Sequence, residues 1–559
     1  MNEYAEQSTP VIPEHAAQPA AEIPVTANGV FSTAAAPGYN SQAVSQLHAE
    51  EKEKRIRHFQ FFGIGSFLYA LFYTFCLYHN ASGITYPFFV GGTLFFFFLS
   101  LKKSGISAKK DSVFYVVSLM LLGISTACTD ASNIIILNKI GIFVLSFVLM
   151  LHNFYSDDSW NLSTYILRIC RLLLGSVNIM GRPFSDLHLY LNKRKETGPA
   201  KNSKVKYILL GLVISVPLLF FVILLLCSAD VVFSSVMSSV FDIDIPANLF
   251  GIGFSVLFAF FASYCIITYL GKRNMKENVP DKRTGEPVLA ITVTSVLSVI
   301  YLIFSGIQVV YLFFGNMELP YHYTYAEYAR EGFFQLLFVC LLNLALVLIC
   351  LGRFKENKIL KAILTVISLC TYIMTASSAM RMIMYIRCYA LTFLRIFVLW
   401  SLAVIFLLIT GVVISIYKEK FPLFKYSMVL VTVLYLGLSF SHPDYWIARY
   451  NISCIPNLNE WECYGDGYYL SGLSADAAPV LLSEDTLAAF NYPSVRTAGR
   501  DEDGNLLYAN NTSWLPDYIY SLDSHIKFVQ SEGTKARTFN LSRFIAGGYL
   551  PPFSSHSIR

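Results

Sequence analysis

The charged residues with the most chemical promise lie in a connection between two long apolar segments. This connection, residues 316–337, carries Glu327, Arg330 and Glu331 and then enters an apolar segment without a break. Because side chains three and four positions apart are neighbours on a helix, all three charges can share one helical face. Such a face could bind a polar or anionic group, or it could hold internal ion pairs.

Two arginines near the end of the next apolar segment are expected at a matching height in the membrane. Arg381 and Arg387 occur within residues 379–396, and Arg381 is predicted to lie more than one helical turn inside the hydrocarbon. An arginine at that depth needs an acidic partner or a water-filled cleft. The sequence therefore predicts a polar cluster of these arginines with the two carboxylates, joined by His322 and Asp444. The cluster is either a binding pocket or a structural network of ion pairs.

The cysteines offer little further chemistry. Most of the 11 cysteines lie inside apolar segments, where cysteine behaves as a small hydrophobic residue. Cys454 and Cys463 lie together outside these segments and could form a disulfide if their side of the membrane is oxidising, while free thiols fit equally well. We find no phosphate-binding loop, nucleophile elbow, metal-ligand pattern or basic nucleic-acid patch. The sequence therefore predicts no catalytic residue, cofactor, metal or nucleic-acid partner.

The composition is that of a membrane protein. Of the 559 residues, 55% are hydrophobic and 14% are charged, with a mean hydropathy of +0.52, whereas soluble domains carry roughly a quarter charged residues. Eleven segments are long enough to cross a bilayer, which takes about 20 apolar residues each. They lie at residues 58–78, 83–101, 112–129, 133–153, 205–227, 247–270, 288–314, 332–351, 359–385, 394–416 and 424–441.

The distribution of positive charge predicts how the chain is oriented. Alternate connections between the apolar segments carry 29 lysines and arginines, against three in the intervening connections. Since cytoplasmic connections are enriched in Lys and Arg, the N-terminus is predicted to be cytoplasmic. We expect a disordered Ala- and Pro-rich tail at residues 1–50, a transmembrane helical domain at 51–441 and a small, mostly helical extracytoplasmic domain at 442–559.

One further segment, residues 160–180, is apolar enough to suggest a twelfth span. It contains Arg168 and Arg171, which fall with Asn161 on one narrow polar stripe of a helix. Two arginines in mid-membrane would cost roughly 2.5–3.5 kcal/mol each. A helix that lies in the cytoplasmic interface avoids this cost, and we predict such an interfacial helix here.

The stretch SHPDYWIARYNI, residues 441–452, follows the last apolar segment. Ser441 and Asp444 match a helix-capping pattern, and Pro443 suits the first turn of a helix. We therefore predict a helix that turns the chain from the membrane into the C-terminal domain.

Several stretches together resemble a known family. They are YTYAEYAREGFFQLL at 323–337, RMIMYIRCYALTFLRI at 381–396, HPDYWIARYNI at 442–452, YLSGLSADAAPVLL at 469–482 and ARTFNLSRFIAGGYL at 536–550. In their order and spacing they resemble the polytopic bacterial membrane proteins catalogued as a domain of unknown function, DUF4153 or the similar DUF4173. The resemblance implies a multi-pass protein of the bacterial cytoplasmic membrane. It brings no activity and no catalytic residues.

Three classes of function fit these features. The first is an envelope sensor or scaffold, whose C-terminal domain binds an extracytoplasmic protein or an envelope glycan. The second is a transporter or lipid flippase that uses the polar cluster. The third is a membrane-embedded enzyme acting on a lipid-linked substrate. The first class is favoured. A transporter is disfavoured because internal repeats with Gly- and Pro-broken spans are missing. Catalysis on a lipid-linked substrate is not expected because such an enzyme would need an acidic pair in a large outer connection, and the first outer connection is only NASGI.

Overall fold

The protein is helical throughout the part of the chain that the computed structural model describes, and no strand forms within that part. The described residues are 41–157, 160–196, 247–272, 283–310, 333–418, 421–454, 468–489, 514–532 and 536–550, with the single positions 215, 222, 226, 229 and 230. The chain divides into two compact units, Met1–Lys54 and Arg55–Arg559. In the first unit, the described residues are helical.

The helices are numbered in chain order. Up to the last apolar segment they are α1 (Ser41–Leu77), α2 (Thr85–Lys103), α3 (Ser112–Cys128), α4 (Ser132–Phe154), α5 (Leu162–Asn178), α6 (Arg182–Glu196), α7 (Ala247–Gly271), α8 (Pro287–Gln308), α9 (Phe333–Arg353), α10 (Lys358–Tyr389), α11 (Phe393–Tyr417) and α12 (Leu423–Phe440). The C-terminal helices are α13 (Pro443–Cys454), α14 (Ala478–Leu481), α15 (Glu484–Ala489), α16 (Trp514–Glu532) and α17 (Leu541–Gly547), and a single 3-10 turn, Ala475–Ala477, precedes α14.

Nine helices in the described part of the chain are long and apolar enough to cross a bilayer. They coincide with nine of the eleven predicted segments, which confirms the prediction of an all-α polytopic membrane protein. Helix α3, at the predicted segment 112–129, is apolar but only 17 residues long. The predicted segment 205–227 lies outside the described residues except at three single positions. The total of eleven spans therefore stays a prediction.

Close backbone approach and buried polar contacts hold the first spans together. A Cβ atom at Gly123 of α3 would lie 3.3 Å from the Cα of Pro87, so the glycine allows α2 to pack against α3. Asn138 of α4 accepts a hydrogen bond from the Ser439 hydroxyl of α12 at 2.7 Å and donates one to Ser125 of α3 at 3.3 Å. These contacts fix the connection between α3 and α4 relative to the end of α12.

The predicted interfacial segment forms helix α5, whose first turn is capped by the Asn161 side chain. Helix α6 follows α5 at an angle of 51°. One side of α5 packs on α7, where a Cβ atom at Gly175 would lie 2.2 Å from the ring of Tyr269. Ile166 and Leu174 are exposed on another side of α5. An interfacial location for α5 stays a prediction.

The helices after α12 lie on one face of the bundle, which we call the C-terminal face. Leu481, Leu515 and Leu522 belong to a hydrophobic cluster formed by these helices. Asn540 donates two hydrogen bonds of 2.8 Å, to the backbone oxygens of Ser82 and Thr129. The C-terminal residues therefore rest against the α1–α2 and α3–α4 connections. The predicted domain boundary at 441/442 stays a prediction.

Helix α13 begins at Pro443, as the sequence predicts. The predicted cap does not form, however, because the Ser441 hydroxyl donates to the backbone oxygen of Leu438 at 2.8 Å. The carboxylate of Asp444 instead accepts hydrogen bonds from Ser474. Asp444 is therefore drawn into a contact with the C-terminal residues and away from the start of its own helix.

Candidate functional site

Of the predicted polar cluster, Arg381 is buried inside the bundle. It is 7% exposed, and its Nη2 lies 3.4 Å from Oε1 of Gln308 on α8. The same oxygen accepts a hydrogen bond of 2.6 Å from Ser377. Arg387, further along α10, is exposed. The two arginines therefore have different environments: Arg381, together with Ser377, joins α10 to α8, whereas Arg387 is exposed.

Other predicted residues lie outside the described part of the chain, namely His322, Glu327, Arg330, Glu331 and Cys463. The pairing of these carboxylates with Arg381 stays a prediction. The disulfide also stays a prediction, although Cys454 is described and lies half-buried at the end of α13.

Three buried carboxylates meet on the C-terminal face, and we call them the aspartate cluster. Asp130 lies in the connection between α3 and α4, Asp444 in the first turn of α13 and Asp476 in the 3-10 turn. None of the three is more than 7% exposed. Burial of an ionised carboxylate costs free energy unless hydrogen bonds or opposite charges compensate it. The partners of each aspartate therefore determine whether its charge is stable in the folded protein.

Asp476 lies at the centre of the aspartate cluster. Its Oδ2 accepts a hydrogen bond of 2.5 Å from the Thr129 hydroxyl and lies 3.1 Å from Nδ1 of His442. Its Oδ1 accepts from the backbone N–H of Asp130 at 2.9 Å and from the Ser542 hydroxyl. Burial alone would raise the pKa of Asp476, but the hydrogen bonds from His442, Ser542 and Thr129 outweigh it and lower that pKa. Asp476 is therefore held as an ionised acceptor.

Asp130 is compensated by two basic side chains. Its Oδ1 lies 3.5 Å from Nε of Arg543, and its Oδ2 lies 3.2 Å from Nε2 of His525 on α16. The guanidinium of Arg543 also donates to the Ser82 hydroxyl at 3.1 Å. Burial lowers the pKa of Arg543, and the charge of Asp130 opposes that shift. The contacts of Arg543 therefore link α17 to the α3–α4 connection and to the α1–α2 connection.

Asp444 is the carboxylate with the weakest compensation. It accepts hydrogen bonds from the hydroxyl and the backbone N–H of Ser474, at 2.6 and 3.2 Å. Burial raises the pKa of Asp444, and these hydrogen bonds offset the shift only in part. The backbone oxygen of Ser474 in turn accepts from the Tyr518 hydroxyl at 3.0 Å. Asp444 thereby connects α13 to α16.

Local geometry explains why residues 539–543 can reach this site. The side-chain oxygen of Asn540 caps α17, accepting from the N–H groups of Ser542 and Arg543 at 3.0 and 3.3 Å. The backbone oxygen of Phe539 accepts from the N–H of Ile84 at 2.7 Å. Because the cap fixes the first turn of α17, it directs both Ser542 and Arg543 towards the aspartate cluster.

The contacts of the aspartate cluster hold separate segments of the chain together. Each of the two histidines pairs with a buried aspartate, as the base of a catalytic dyad would. Asp476, however, already accepts hydrogen bonds from three separate segments of the chain, and these bonds hold the segments together. Within the described ranges, no group of three or more His, Cys, Asp or Glu side chains could hold a metal ion.

Another buried carboxylate, Asp157, lies at the opposite ends of the spans. Asp157 lies 2.9 Å from Nζ of Lys109 and 2.6 Å from Nδ1 of His152. Burial would raise the pKa of Asp157, but hydrogen bonds from His152, Tyr165 and Lys109 lower it. These contacts anchor the segment between α4 and α5 to the α2–α3 connection, so their role is structural.

Residues 116–484, more than half of the chain, match the family described as "Domain of unknown function (DUF4153)". The chain belongs to this family. No curated protein and no solved structure matches it significantly. The resemblance noted from the sequence is thus confirmed, and with its spanning helices this DUF4153 member is an integral, multi-pass membrane protein in contact with the lipid bilayer. Its biochemical activity is unknown.

The aspartate cluster itself was missed by reasoning from the sequence, apart from Asp444. The stretches SADAAP and FNLSRF, which carry Asp476, Ser542 and Arg543, were noticed only as part of the family resemblance. Asp130 follows an apolar segment without any surrounding pattern. The matched region of the DUF4153 family includes all three aspartates and ends before α17.

Proposed function

We propose that the protein is a scaffold or sensor of the bacterial cell envelope, located in the cytoplasmic membrane with its N-terminus in the cytoplasm and its C-terminal face outside. Its C-terminal helices would present a binding surface to an extracytoplasmic protein or an envelope glycan. The observation that carries the proposal is the set of hydrogen bonds that Asp476 accepts from the α3–α4 connection, the α12–α13 connection and α17.

This arrangement supports the proposal because a clamped domain has a fixed position relative to the spans. A tethered domain could bind a partner, but the binding would exert little influence on the membrane part. Here, displacement of the C-terminal helices would expose Asp476 and break its contact with Thr129. Binding on the C-terminal face is therefore coupled to helices α3, α4 and α12.

The proposed orientation is supported by where the basic residues lie. Lys109, Lys355 and Lys425 occur at the ends of spans opposite the C-terminal face, where each pairs with a carboxylate at 2.6–3.2 Å. An excess of Lys and Arg is typical of cytoplasmic connections. On α5, the exposed apolar residues Ile166 and Leu174 would face lipid while Arg171 faces headgroups.

Photo-crosslinking in the full-length protein tests the scaffold. A photoreactive residue replaces Tyr468, which is 80% exposed, in native membranes. We expect a discrete adduct with one envelope protein or glycan, and we expect Asp476→Asn to abolish it because the surface is no longer held in place. The same residue at Val288, which lies on the exposed side of α8, is the control. An absent adduct, or one indifferent to Asp476→Asn, would contradict the proposal.

The orientation has its own test in intact cells. Glu484→Cys places an exposed thiol on the C-terminal face, and Lys103→Cys places one at the opposite end of α2. A membrane-impermeant maleimide should label the first thiol and leave the second unlabelled until the cells are opened. The reverse pattern would show that the assigned orientation is wrong.

A transporter is the second candidate, favoured by one observation. Thr294, Ser298, Ser305 and Gln308 line a single buried face of α8 towards α10. Among the described residues, the hydroxyls of Ser298 and Ser305 have no hydrogen-bond partner. If this seam opens, Ser305→Cys should react with an impermeant thiol reagent added to the C-terminal face, after the cysteines outside the spans are replaced. An unreactive thiol would indicate a closed, structural seam.

A further inference from the structure

Helix α17 has its apolar side turned outwards. Leu541, Phe544 and Ile545 are 42%, 67% and 45% exposed, whereas Ser542 and Arg543 on the other side are buried in the aspartate cluster. In a helix that lies on a water-soluble surface, the apolar side faces the protein. The inverted pattern requires an apolar environment on the outer side of α17.

The exposed side of α17 is continuous with a surface that contacts lipid. Phe539 lies beside Phe544, with ring centroids 5.5 Å apart, and its backbone oxygen bonds to the N–H of Ile84. Ile84 is exposed, and so is Phe88 in the next turn, within the spanning helix α2. The backbone contact therefore brings the exposed apolar side of α17 next to the exposed apolar residues at the start of α2.

The height of this segment in the membrane follows from its contacts with α1. Nη1 of Arg537 donates to the backbone oxygen of Phe75 at 3.2 Å. Phe75 belongs to the last turn of α1, a spanning helix, and its side chain is exposed on the outside of the bundle. The chain from Arg537 to Phe539 therefore runs beside the last turn of α1 and the first turn of α2.

We infer that residues Phe539–Ile545, the closing segment, form a lipid-binding anchor. The side chains of Phe539, Leu541, Phe544 and Ile545 insert between the acyl chains of the adjoining leaflet, while Arg543 and Asn540 hold the segment to the protein. The C-terminal helices are thus attached to the bilayer directly as well as through α12. The partner is the acyl region of the membrane lipids, because the apolar surface continues onto the lipid-contacting side of α2.

The test uses the full-length protein reconstituted in vesicles of phosphatidylethanolamine and phosphatidylglycerol. The photoreactive residue p-benzoylphenylalanine replaces Phe544, and mass spectrometry identifies what it captures. The same residue at Phe88 is the lipid-facing positive control, and at the exposed Glu484 it is the water-facing negative control. We expect lipid adducts at positions 88 and 544, in similar yield, and none at 484.

A lack of lipid adducts at position 544, with capture intact at 88, would overturn the inference. Capture of a second copy of the chain at 544 would also overturn it, since the apolar side would then be a protein interface. Replacement of Ile545 on the same exposed side provides a second position if the first variant is poorly folded. The outcome is independent of the proposed scaffold, which depends on the surface around Tyr468.

Discussion

The Thr129 hydroxyl donates a hydrogen bond of 2.5 Å to Oδ2 of Asp476, across 347 residues of sequence. Both side chains are buried. Thr129 lies in the connection of two early helices, and Asp476 lies among the C-terminal helices. The contact therefore contributes to holding the C-terminal face against the α3–α4 connection, and its loss has measurable consequences.

Asp476→Asn keeps the shape of the side chain and removes its charge. We expect it to destabilise the docking of the C-terminal helices by roughly 2–4 kcal/mol, since buried donors lose a charged acceptor. Hydrogen exchange of the full-length protein in bilayers should show faster exchange in residues 468–489. Glu484→Gln removes an exposed charge nearby and should change nothing. Equal exchange in the two variants would contradict the prediction.

The stability of the C-terminal face should depend on pH through His442. Its hydrogen bond to Asp476 raises the pKa of His442 above the ordinary value of 6.5, against the effect of burial. A raised pKa stabilises the folded state below pH 6.5, and the contribution is lost as the pH rises through the raised pKa. Between pH 6.5 and the raised pKa, the thermal midpoint of the full-length protein should therefore decrease as the pH rises.

His442→Gln separates the histidine from the other titrating groups that face it. Asp444, whose pKa burial raises, and Asp476, whose pKa is lowered from 3.8, remain in the variant. Asp476 contributes stability above pH 3.8, which is lost as the pH falls through its lowered pKa. The thermal midpoint of the variant should still decrease in acid, as the pH falls below 3.8, but it should no longer decrease above pH 6.5. An unchanged decline would assign it to another group.

The ion pair between Asp130 and Arg543 should be far stronger than the surface pairs. Arg543→Gln leaves a buried carboxylate without its guanidinium and should cost about 3–5 kcal/mol. Adding Asp130→Asn should recover part of that loss, because the two residues interact directly. Lys425→Gln, in an exposed pair with Asp111, is the matched control and should cost under about 1 kcal/mol. Equal costs at the two sites would contradict this assignment.

Arg381 allows a test of the predicted polar cluster. If Glu327 pairs with it, Arg381→Glu and Glu327→Arg should each lower the thermal midpoint, since each leaves like charges together in a low-dielectric region. The double exchange should recover most of the loss. If all three variants unfold like the wild-type protein, the pair does not exist, and Gln308 accounts for the partner of Arg381.

Gly83 marks a close approach between the α1–α2 connection and the closing residues. A Cβ atom there would lie 2.3 Å from the backbone oxygen of Arg537. Gly83→Ala should therefore displace the closing segment and increase proteolysis near residue 537. Gly91→Ala, where the nearest atom would be 3.9 Å away at Met120, should leave the cleavage pattern unchanged. Cleavage increased equally by both substitutions would point to a general effect on the spans.

The membrane architecture could be predicted because it depends on local properties of the sequence. A span such as α11 is recognisable from its own 25 residues, since each backbone polar group in a bilayer must be satisfied within the helix. Helix α3 is also apolar, and its observed bounds, Ser112–Cys128, agree with the predicted segment 112–129 to within one residue. The polar stripe of α5 was equally local, and the structure has a helix there.

The aspartate cluster could not be predicted because it is assembled from distant segments. Asp130, Asp444 and Asp476 are each ordinary acidic residues after an apolar or helical stretch, and only the fold brings them together. Ser441 and Asp444 illustrate the difficulty. Their spacing matched a local cap, but the tertiary contact with Ser474 gives Asp444 a better donor. A short polar side chain can bond either to nearby backbone or to a distant donor, and here the distant donor is preferred over the local cap.

The contacts of Asn540 impose an order on biosynthesis. Its side-chain amide donates a hydrogen bond to the backbone oxygen of Thr129, a residue that is synthesised 411 residues earlier. Until Asn540 emerges, the carbonyl groups of Ser82 and Thr129 must be satisfied by water or by the insertion machinery. The α1–α2 and α3–α4 connections are therefore expected to stay accessible during translation, and a ribosome stalled before Asn540 should leave them open to proteases.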